Sequence, residues 1–180
     1  MSKKQQGKKE MLRIIPNEEL SKYTSQIKKP SEAFNLFLQH YAIDGIWIRS
    51  RGEEDISVWD KLKGDELDIA KQIILDGLKM VPDISYMRAV SIFKDERAIP
   101  ILRNIIETYY SEKYIGEKLI AAKVLYDWVG YEDYISMLEN ACKNQDNYMV
   151  YNYLKWRISI FTSGLDEKDK ARIMKALEEH

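Results

Sequence analysis

Histidine and cysteine are the side chains that most often carry acid–base, nucleophilic or metal chemistry near neutral pH. This chain has two histidines and one cysteine. His40 lies in a predicted helix, on the edge of its apolar face, and His180 is far from it in sequence. No second histidine or cysteine stands near either one at the spacing of a zinc site, and no Glu-x-x-His pair suggests a di-iron site. The sequence therefore predicts no catalytic residue and no metal site.

Other chemical signatures are missing as well. Gly45 and Gly52 are isolated, so neither begins a phosphate-binding loop. The acidic run from Glu53 to Asp55 suits a loop or a helix start, where the helix dipole favours negative charge. Cys142 stands in a predicted helix and is expected to be a small, buried, apolar residue. These patterns favour a protein that is not an enzyme and that uses no cofactor.

Tyrosine is the side chain whose distribution is unusual. Nine of the 12 tyrosines lie between Tyr109 and Tyr153, and tyrosine and tryptophan dominate the hot spots of protein interfaces. We therefore predict a tyrosine-lined surface that contacts a protein or peptide. The candidate partner-binding residues are Tyr110, Tyr114, Tyr148, Tyr151, Asn152 and Lys155.

The alternative is that these aromatic residues only pack between helices. The predicted helix from Asn147 to Phe161 has two apolar stripes at helical spacing, and a helix with neighbours on two sides needs a wide apolar arc. One stripe is Met149, Tyr153, Trp156 and Ile160, and the other is Val150, Leu154, Ile158 and Phe161.

Helix-start signals and apolar spacing predict a chain made of helices. Pro30-Ser31-Glu32 opens a helix in which four apolar residues recur at helical spacing: Phe34, Phe37, Leu38 and Tyr41. Four aspartates are predicted helix caps: Asp65, Asp83, Asp95 and Asp166. Residues 43–52 do not follow a helical pattern and are expected to form an extended loop or a short strand.

The helices after residue 64 fall into pairs. Predicted starts near Glu66, Glu96, Glu132 and Glu167 are roughly 30–36 residues apart, within the range of helical repeats. We predict a disordered basic tail at residues 1–10, an N-terminal helical cap at 11–64 and helical repeats at 65–180. One helical hairpin cannot bury both of its apolar faces, so neighbouring hairpins are expected to stack.

Residues 117–138 carry the clearest repeat pattern. The pair Ala121-Ala122 precedes Leu125, and a turn at Gly130 is followed by acidic residues and an aliphatic helix start. This stretch resembles a HEAT-like repeat, and residues 86–102 are more loosely similar to one. The resemblance implies an all-α, right-handed α-solenoid of antiparallel helical hairpins, with an irregular N-terminal helical cap. It also implies protein–protein interaction and supplies no catalytic residue.

The charge of the chain is unevenly distributed. Residues 1–30 hold eight Lys or Arg and three Glu, whereas the remaining residues hold 20 basic and 26 acidic side chains, a net charge of −6. An acidic body disfavours nucleic-acid binding, which needs a basic face. No apolar run approaches the roughly 20 residues of a transmembrane helix. We expect a cytoplasmic protein with no membrane segment.

Several functions remain open. The favoured one is a non-catalytic protein- or peptide-binding module, for example a small bacterial immunity or antitoxin-type protein or a regulatory scaffold. The alternative is a nucleic-acid-binding HEAT-like protein resembling alkylpurine DNA glycosylases, which would require a basic groove. Such a groove would be lined by Arg88, Arg103, Lys123, Lys155 and Arg157. A third class, a HEAT-like lyase acting on a chromophore, has no specific residue in its favour.

Overall fold

The computed structural model describes residues 15–43, 55–108, 115–143 and 148–178. All regular structure in these ranges is helical, which confirms the predicted all-α class. The chain divides into two compact units, Met1–Arg97 and Ala98–His180. The predicted basic tail and residues 44–52 of the predicted extended segment lie outside the described residues. Ile43, the first residue of that segment, is helical, which corrects the prediction at this position. The predicted division at residues 64 and 65 rests on the repeat pattern and stays a prediction.

The first unit has five described α-helices and one π-helical segment. They are α1 (Asn17–Thr24), α2 (Glu32–Phe37), the π-helical segment Leu38–Ile43, α3 (Val58–Lys61), α4 (Gly64–Met80) and α5 (Ile84–Phe93). Helix α4 packs against α1, α2 and α5, and α2 also contacts α3.

Two of the predicted helix starts in this unit are confirmed and two are corrected. The Ser31 side chain caps α2 by accepting a hydrogen bond from the Phe34 amide, and Asp83 caps α5. Asp65 does not cap α4, because that helix already begins at Gly64 with Lys63 as its N-cap residue. Asp65 instead lies in the first turn of the helix, where its negative charge interacts favourably with the helix dipole. Asp95 accepts a hydrogen bond from the Arg97 amide in a turn, and the next helix begins only at Ala98.

The core of the first unit is aromatic. Phe34, Phe37 and Tyr41 are buried, as their helical spacing predicts. The Tyr41 ring is near those of Trp59 and Tyr86, with centroids 5.7 and 6.4 Å away. The Tyr86 hydroxyl donates to the Tyr41 carbonyl oxygen at 2.6 Å, and the Trp59 indole N–H donates to the Tyr41 hydroxyl at 3.3 Å. The buried polar groups are thus paired inside the cluster.

The second unit is described as five helices. They are α6 (Ala98–Thr108), α7 (Ile115–Val129), α8 (Tyr134–Lys143), α9 (Tyr148–Phe161) and α10 (Glu167–Glu178). Helix α7 packs against α6, α8 and α9, and α8 also contacts α9 and α10. None of the helices in the described part of the chain is long and apolar enough to cross a membrane.

The turn between α7 and α8 shows how the sequence shapes this unit. Gly130 has a φ of 72°, a left-handed conformation that glycine adopts without steric cost. Ala121 and Ala122 are fully buried, and so is Tyr134, whose hydroxyl donates to the carbonyl oxygen of Phe161. The small alanines let neighbouring helices approach α7 closely, and the tyrosine ties the start of α8 to the end of α9.

Four apolar residues near the end of the sequence are expected to face the core from a last helix: Ala171, Ile173, Met174 and Leu177. The structure corrects two of these four. Ile173 and Leu177 of α10 are buried as predicted. Ala171 and Met174 are exposed, although their apolar character suggested an inward position. The buried side of α10 is completed by Ala176, so the apolar stripe that faces α8 is displaced around the helix from the predicted one.

Candidate functional site

Helix α9 presents a continuous exposed face with a large aromatic residue at its centre. Trp156 is 76% exposed and Ile160 is 47% exposed. Asn152, Lys155 and Ser159 are also exposed. Because these five residues follow the spacing of neighbours on a helix surface, they form one surface, which we call the α9 face.

This exposure argues against the packing alternative for one apolar stripe. Under that alternative Trp156 and Ile160 would be core residues, but they face solvent. The opposite side of the helix, with Leu154 and Phe161, is buried. Tyr153 lies at the boundary, and a Cβ placed on Gly116 of α7 would be 3.2 Å from its ring. Among the described residues of the two stripes, the neighbouring helices cover Leu154 and Phe161 of one and leave Trp156 and Ile160 of the other in solvent.

Two cations lie over aromatic rings on α9. The Nζ of Lys155 is 5.8 Å from the centre of the Tyr151 ring, and the Cζ of Arg157 is 4.3 Å from the centre of the Trp156 ring. Helix α9 contains no aspartate or glutamate. Within the described ranges neither cation forms a salt bridge. Helix α9 therefore carries two positive charges, and each is attracted to the face of an aromatic ring on the same helix.

The guanidinium of Arg157 is partly desolvated. Its Nε is buried and has no hydrogen-bond acceptor among the described residues. A buried donor without a partner carries a free-energy cost, and a charged one has more to gain from an added acceptor.

The structure brings together three of the predicted partner-binding residues. Tyr151, Asn152 and Lys155 lie close in sequence on α9, with Asn152 and Lys155 on its exposed face. Tyr151 is half-buried, and its hydroxyl donates to the Leu177 carbonyl oxygen at 3.4 Å, so it is a weaker candidate for outside contact. Tyr148 begins α9, but its side chain is outside the described part of the structure.

Two other predicted residues, Tyr110 and Tyr114, lie outside the described ranges. In contrast, Trp156 and Arg157 are absent from the predicted set and are prominent in the structure. The sequence signal for an exposed tryptophan was the run Lys155-Trp156-Arg157. Lysine and arginine are seldom fully buried, so a tryptophan with one of them on each side is easier to place at the surface than in the core.

The residues with potential for chemistry do not converge. His40 is half-buried, and its Nδ1 accepts a hydrogen bond from the Asp55 amide at 3.0 Å. Cys142 is fully buried, and burial raises the pKa of its thiol to about 11, which disfavours the reactive thiolate. Among the described residues, no group of three or more His, Cys, Asp or Glu side chains could hold a metal ion.

The basic residues named for a nucleic-acid groove lie on several helices: Arg88 on α5, Arg103 on α6, Lys123 on α7, and Lys155 and Arg157 on α9. Lys123 is only 8% exposed and pairs with Asp127 of the same helix, so it does not line an open groove. Arg103 lies over the ring of Tyr131. Lys155 and Arg157 are the two of these residues that share α9.

Comparisons with known protein families, curated proteins and solved structures find no match. The α9 face is therefore the feature from which a function can be argued. It combines an exposed tryptophan, an aliphatic neighbour, polar side chains and the Lys155 cation, and Arg157 lies over the tryptophan ring beside it. That combination suits non-covalent recognition of another molecule.

Proposed function

We propose that this chain is a non-catalytic helical-repeat module that binds a protein or peptide through the α9 face. The observation that carries the proposal is the 76% exposure of Trp156 beside an exposed Ile160. A tryptophan side chain has about 150–250 Å² of surface to bury, and leaving it in water is unfavourable. Tryptophan is also among the residues most enriched in interface hot spots.

We further propose that the helices of the second unit are stacked hairpins of a right-handed, HEAT-like solenoid. Helices α7 and α8 are joined by the short turn at Gly130, and α9 and α10 follow as the next pair. Helix α7 packs against α9, and α8 packs against α10. Contacts between corresponding helices of successive hairpins are typical of such repeats and support this arrangement.

A repeat of this kind supports a role as an interaction module. An immunity or antitoxin-type protein and a regulatory scaffold would each use a solvent-facing aromatic surface to hold a protein partner. Both versions fit a protein that acts in the cytoplasm. They differ in the identity of the partner, which the next experiment is designed to reveal.

The proposal is tested by comparing partner capture by three forms of the full chain. The wild type and Trp156→Ala are tagged and used to capture proteins from the native cell extract. The control is Ile92→Ala, because Ile92 is an exposed aliphatic residue (41%) on α5 of the other unit. We expect the wild type and the control to capture a partner protein in stoichiometric amount. Trp156→Ala should lose about 2 kcal/mol or more of the free energy of binding to that partner.

A captured protein that binds equally well to Trp156→Ala would refute the α9 face as its binding site. Circular dichroism of each variant checks that the fold is retained. Because Trp156 is largely in water, its replacement is expected to change the stability by less than about 0.5 kcal/mol.

A nucleic-acid-binding HEAT-like protein, resembling alkylpurine DNA glycosylases, is the second candidate. The observation in its favour is that Trp156 stands between two cations, Lys155 and Arg157, since single strands bind to aromatic rings and basic grooves. Nuclease treatment of the captured material separates the two candidates. Capture that is abolished by nuclease, and that weakens steeply as salt rises, would favour nucleic acid.

A further inference from the structure

We infer that the segment recognised by the α9 face is an acidic peptide segment, with a carboxylate that pairs with Arg157 and an apolar side chain that packs on Trp156. This inference rests on the proposed function and names the partner's chemistry. It is carried by the local charge of α9, by the placement of its two described cations and by the charge of the rest of the chain.

The local charge is opposite to that of the surrounding protein. Helix α9 has Lys155 and Arg157 and no acidic residue, whereas residues 31–180 as a whole carry a net charge of −6. The two cations of α9 attract an acidic segment, and the net negative charge of residues 31–180 disfavours its binding to the rest of that range. Residues 1–30, with a net charge of +5, are the other basic part of the chain.

The arginine is also prepared to receive a carboxylate. Its guanidinium rests 4.3 Å from the centre of the Trp156 ring, which limits its freedom before binding. The planar fork of N–H groups matches the two oxygens of a carboxylate. Because Arg157 is only partly buried and its guanidinium lies over the Trp156 ring, a carboxylate bound to its accessible N–H groups would lie beside the exposed tryptophan. A partner with a carboxylate close to an apolar side chain can therefore pair with Arg157 and pack on Trp156 at the same time.

A second copy of this chain is a poorer occupant of the α9 face. A twofold symmetric dimer brings the same patch of both chains together. Lys155 and Arg157 would then face the same two cations of the other copy, with no acidic residue on α9 to separate them. Like charges across an interface are unfavourable.

The test uses a defined probe, a displayed library of random 12-residue peptides selected against the full-length wild-type protein. We expect the selected peptides to be enriched in Asp or Glu next to a large apolar residue. Their binding is then measured by fluorescence anisotropy to four variants: Arg157→Gln, Lys155→Gln, Trp156→Ala and Arg103→Gln. Arg103→Gln is the matched control, because Arg103 also lies over an aromatic ring, 6.0 Å from the centre of Tyr131.

For the selected peptides, Arg157→Gln is expected to weaken binding about ten- to hundredfold, as for loss of a hydrogen bond to a charged group. Replacing the peptide's Glu by Gln should produce a similar loss with the wild type and little further loss with Arg157→Gln. Arg103→Gln should bind within about twofold of the wild type.

The outcomes separate the two proposals. Peptides that depend on Trp156 but contain no acidic residue, or that bind Arg157→Gln as tightly as the wild type, would overturn the acidic-segment inference and leave the proposed function standing. A selection in which no peptide depends on Trp156 would overturn the proposed function itself. Displacement of the peptides by a phosphorylated peptide or a single-stranded oligonucleotide at lower concentration would also overturn the inference, in favour of phosphate recognition.

Discussion

Gly77 stands where helix α4 meets the buried ring of Tyr86. A Cβ at this position would lie 2.1 Å from Tyr86 Cε2 and 2.8 Å from Cδ2, far inside van der Waals contact. The ring has little freedom to move, because Tyr86 is fully buried and its hydroxyl donates to the Tyr41 carbonyl oxygen. The glycine is therefore required for the two helices to approach each other.

Gly77→Ala is accordingly expected to destabilise the protein, although alanine is the better helix former by about 1 kcal/mol. Overpacking of a filled site outweighs that gain, so we expect the free energy of unfolding in urea to fall by about 1–3 kcal/mol. Gly116→Ala is the matched control. Its Cβ would lie 3.2 Å from the Tyr153 ring, so that ring would have to move much less than the Tyr86 ring in Gly77→Ala. A net stabilisation by Gly77→Ala would contradict the close approach.

Cys142 makes the stability of the protein depend on pH in the alkaline range. Burial, with a further contribution from Glu139, raises the pKa of its thiol from 9.0 to about 11. The unfolded chain loses this proton at lower pH than the folded chain. The contribution of the protonated thiol to the free energy of unfolding is therefore fully present below about pH 9. It is lost as the pH rises to 11. Two pKa units correspond to about 3 kcal/mol.

We therefore expect Cys142→Ala to flatten the alkaline loss of stability. Between pH 8 and pH 11 the free energy of unfolding of the wild type should fall by about 2–3 kcal/mol more than that of the variant. Urea titrations at each pH measure the difference, with each protein referred to its own value at pH 8. If the unfolding free energies of the two proteins fell in parallel with pH, the thiol would have the same pKa in the folded and the unfolded chain.

Helix α5 depends on its cap. The Asp83 carboxylate accepts hydrogen bonds from the Ser85 and Tyr86 amides, at 2.9 and 3.1 Å. We expect Asp83→Ala to lower the free energy of unfolding by about 0.5–2 kcal/mol, because these amides have no partner within the helix. Asp83→Asn should retain most of the stability, since asparagine caps equally well. Equal losses in the two variants would assign the effect of Asp83 to its charge instead.

Some elements could be predicted from local sequence because local chemistry determines them. Ser31 and Asp83 cap their helices through their own neighbours, and the spacing of Phe34, Phe37 and Tyr41 already predicts a buried face. The π-helical segment Leu38–Ile43 has no such local signal. Its sequence has the same apolar spacing as an α-helix, so the longer hydrogen-bond pattern must come from tertiary packing.

The candidate site was only partly predictable for the same reason. The two apolar stripes of α9 have similar composition, so the helix shows no strong preference for burying one side. Contacts with α7 and α8 decide that Leu154 is covered and Trp156 is exposed. Asn152 and Lys155, two of the predicted partner-binding residues, are exposed, but the sequence could not identify the tryptophan beside them as the centre of that surface.

Each of the two compact units is held together by helix pairs of its own. In the second unit these pairs join α6 to α7, α7 to α9 and α8 to α10, around buried residues such as Leu125, Leu138 and Ile173. A unit with its own core is expected to fold alone. We predict that residues 98–180, expressed separately, have a helical circular dichroism spectrum and unfold cooperatively.

The control for this prediction is a shorter fragment, residues 115–180, which lacks α6. Because α6 packs against α7 and buries Leu102 and Ile105, the shorter fragment should be markedly less stable. A spectrum of disordered chain from residues 98–180 would show that the second unit depends on the first for its folding.

The unequal environments of two tryptophans also provide the protein with built-in optical reporters. Trp59 is 5% exposed in the first unit, whereas Trp156 is 76% exposed in the second. A neutral collisional quencher such as acrylamide will reach the indole of Trp156 and scarcely that of Trp59. The quenching that is lost in Trp156→Phe therefore reports on α9 alone, and shielding of that component by a ligand would reveal occupancy of the surface without any attached dye.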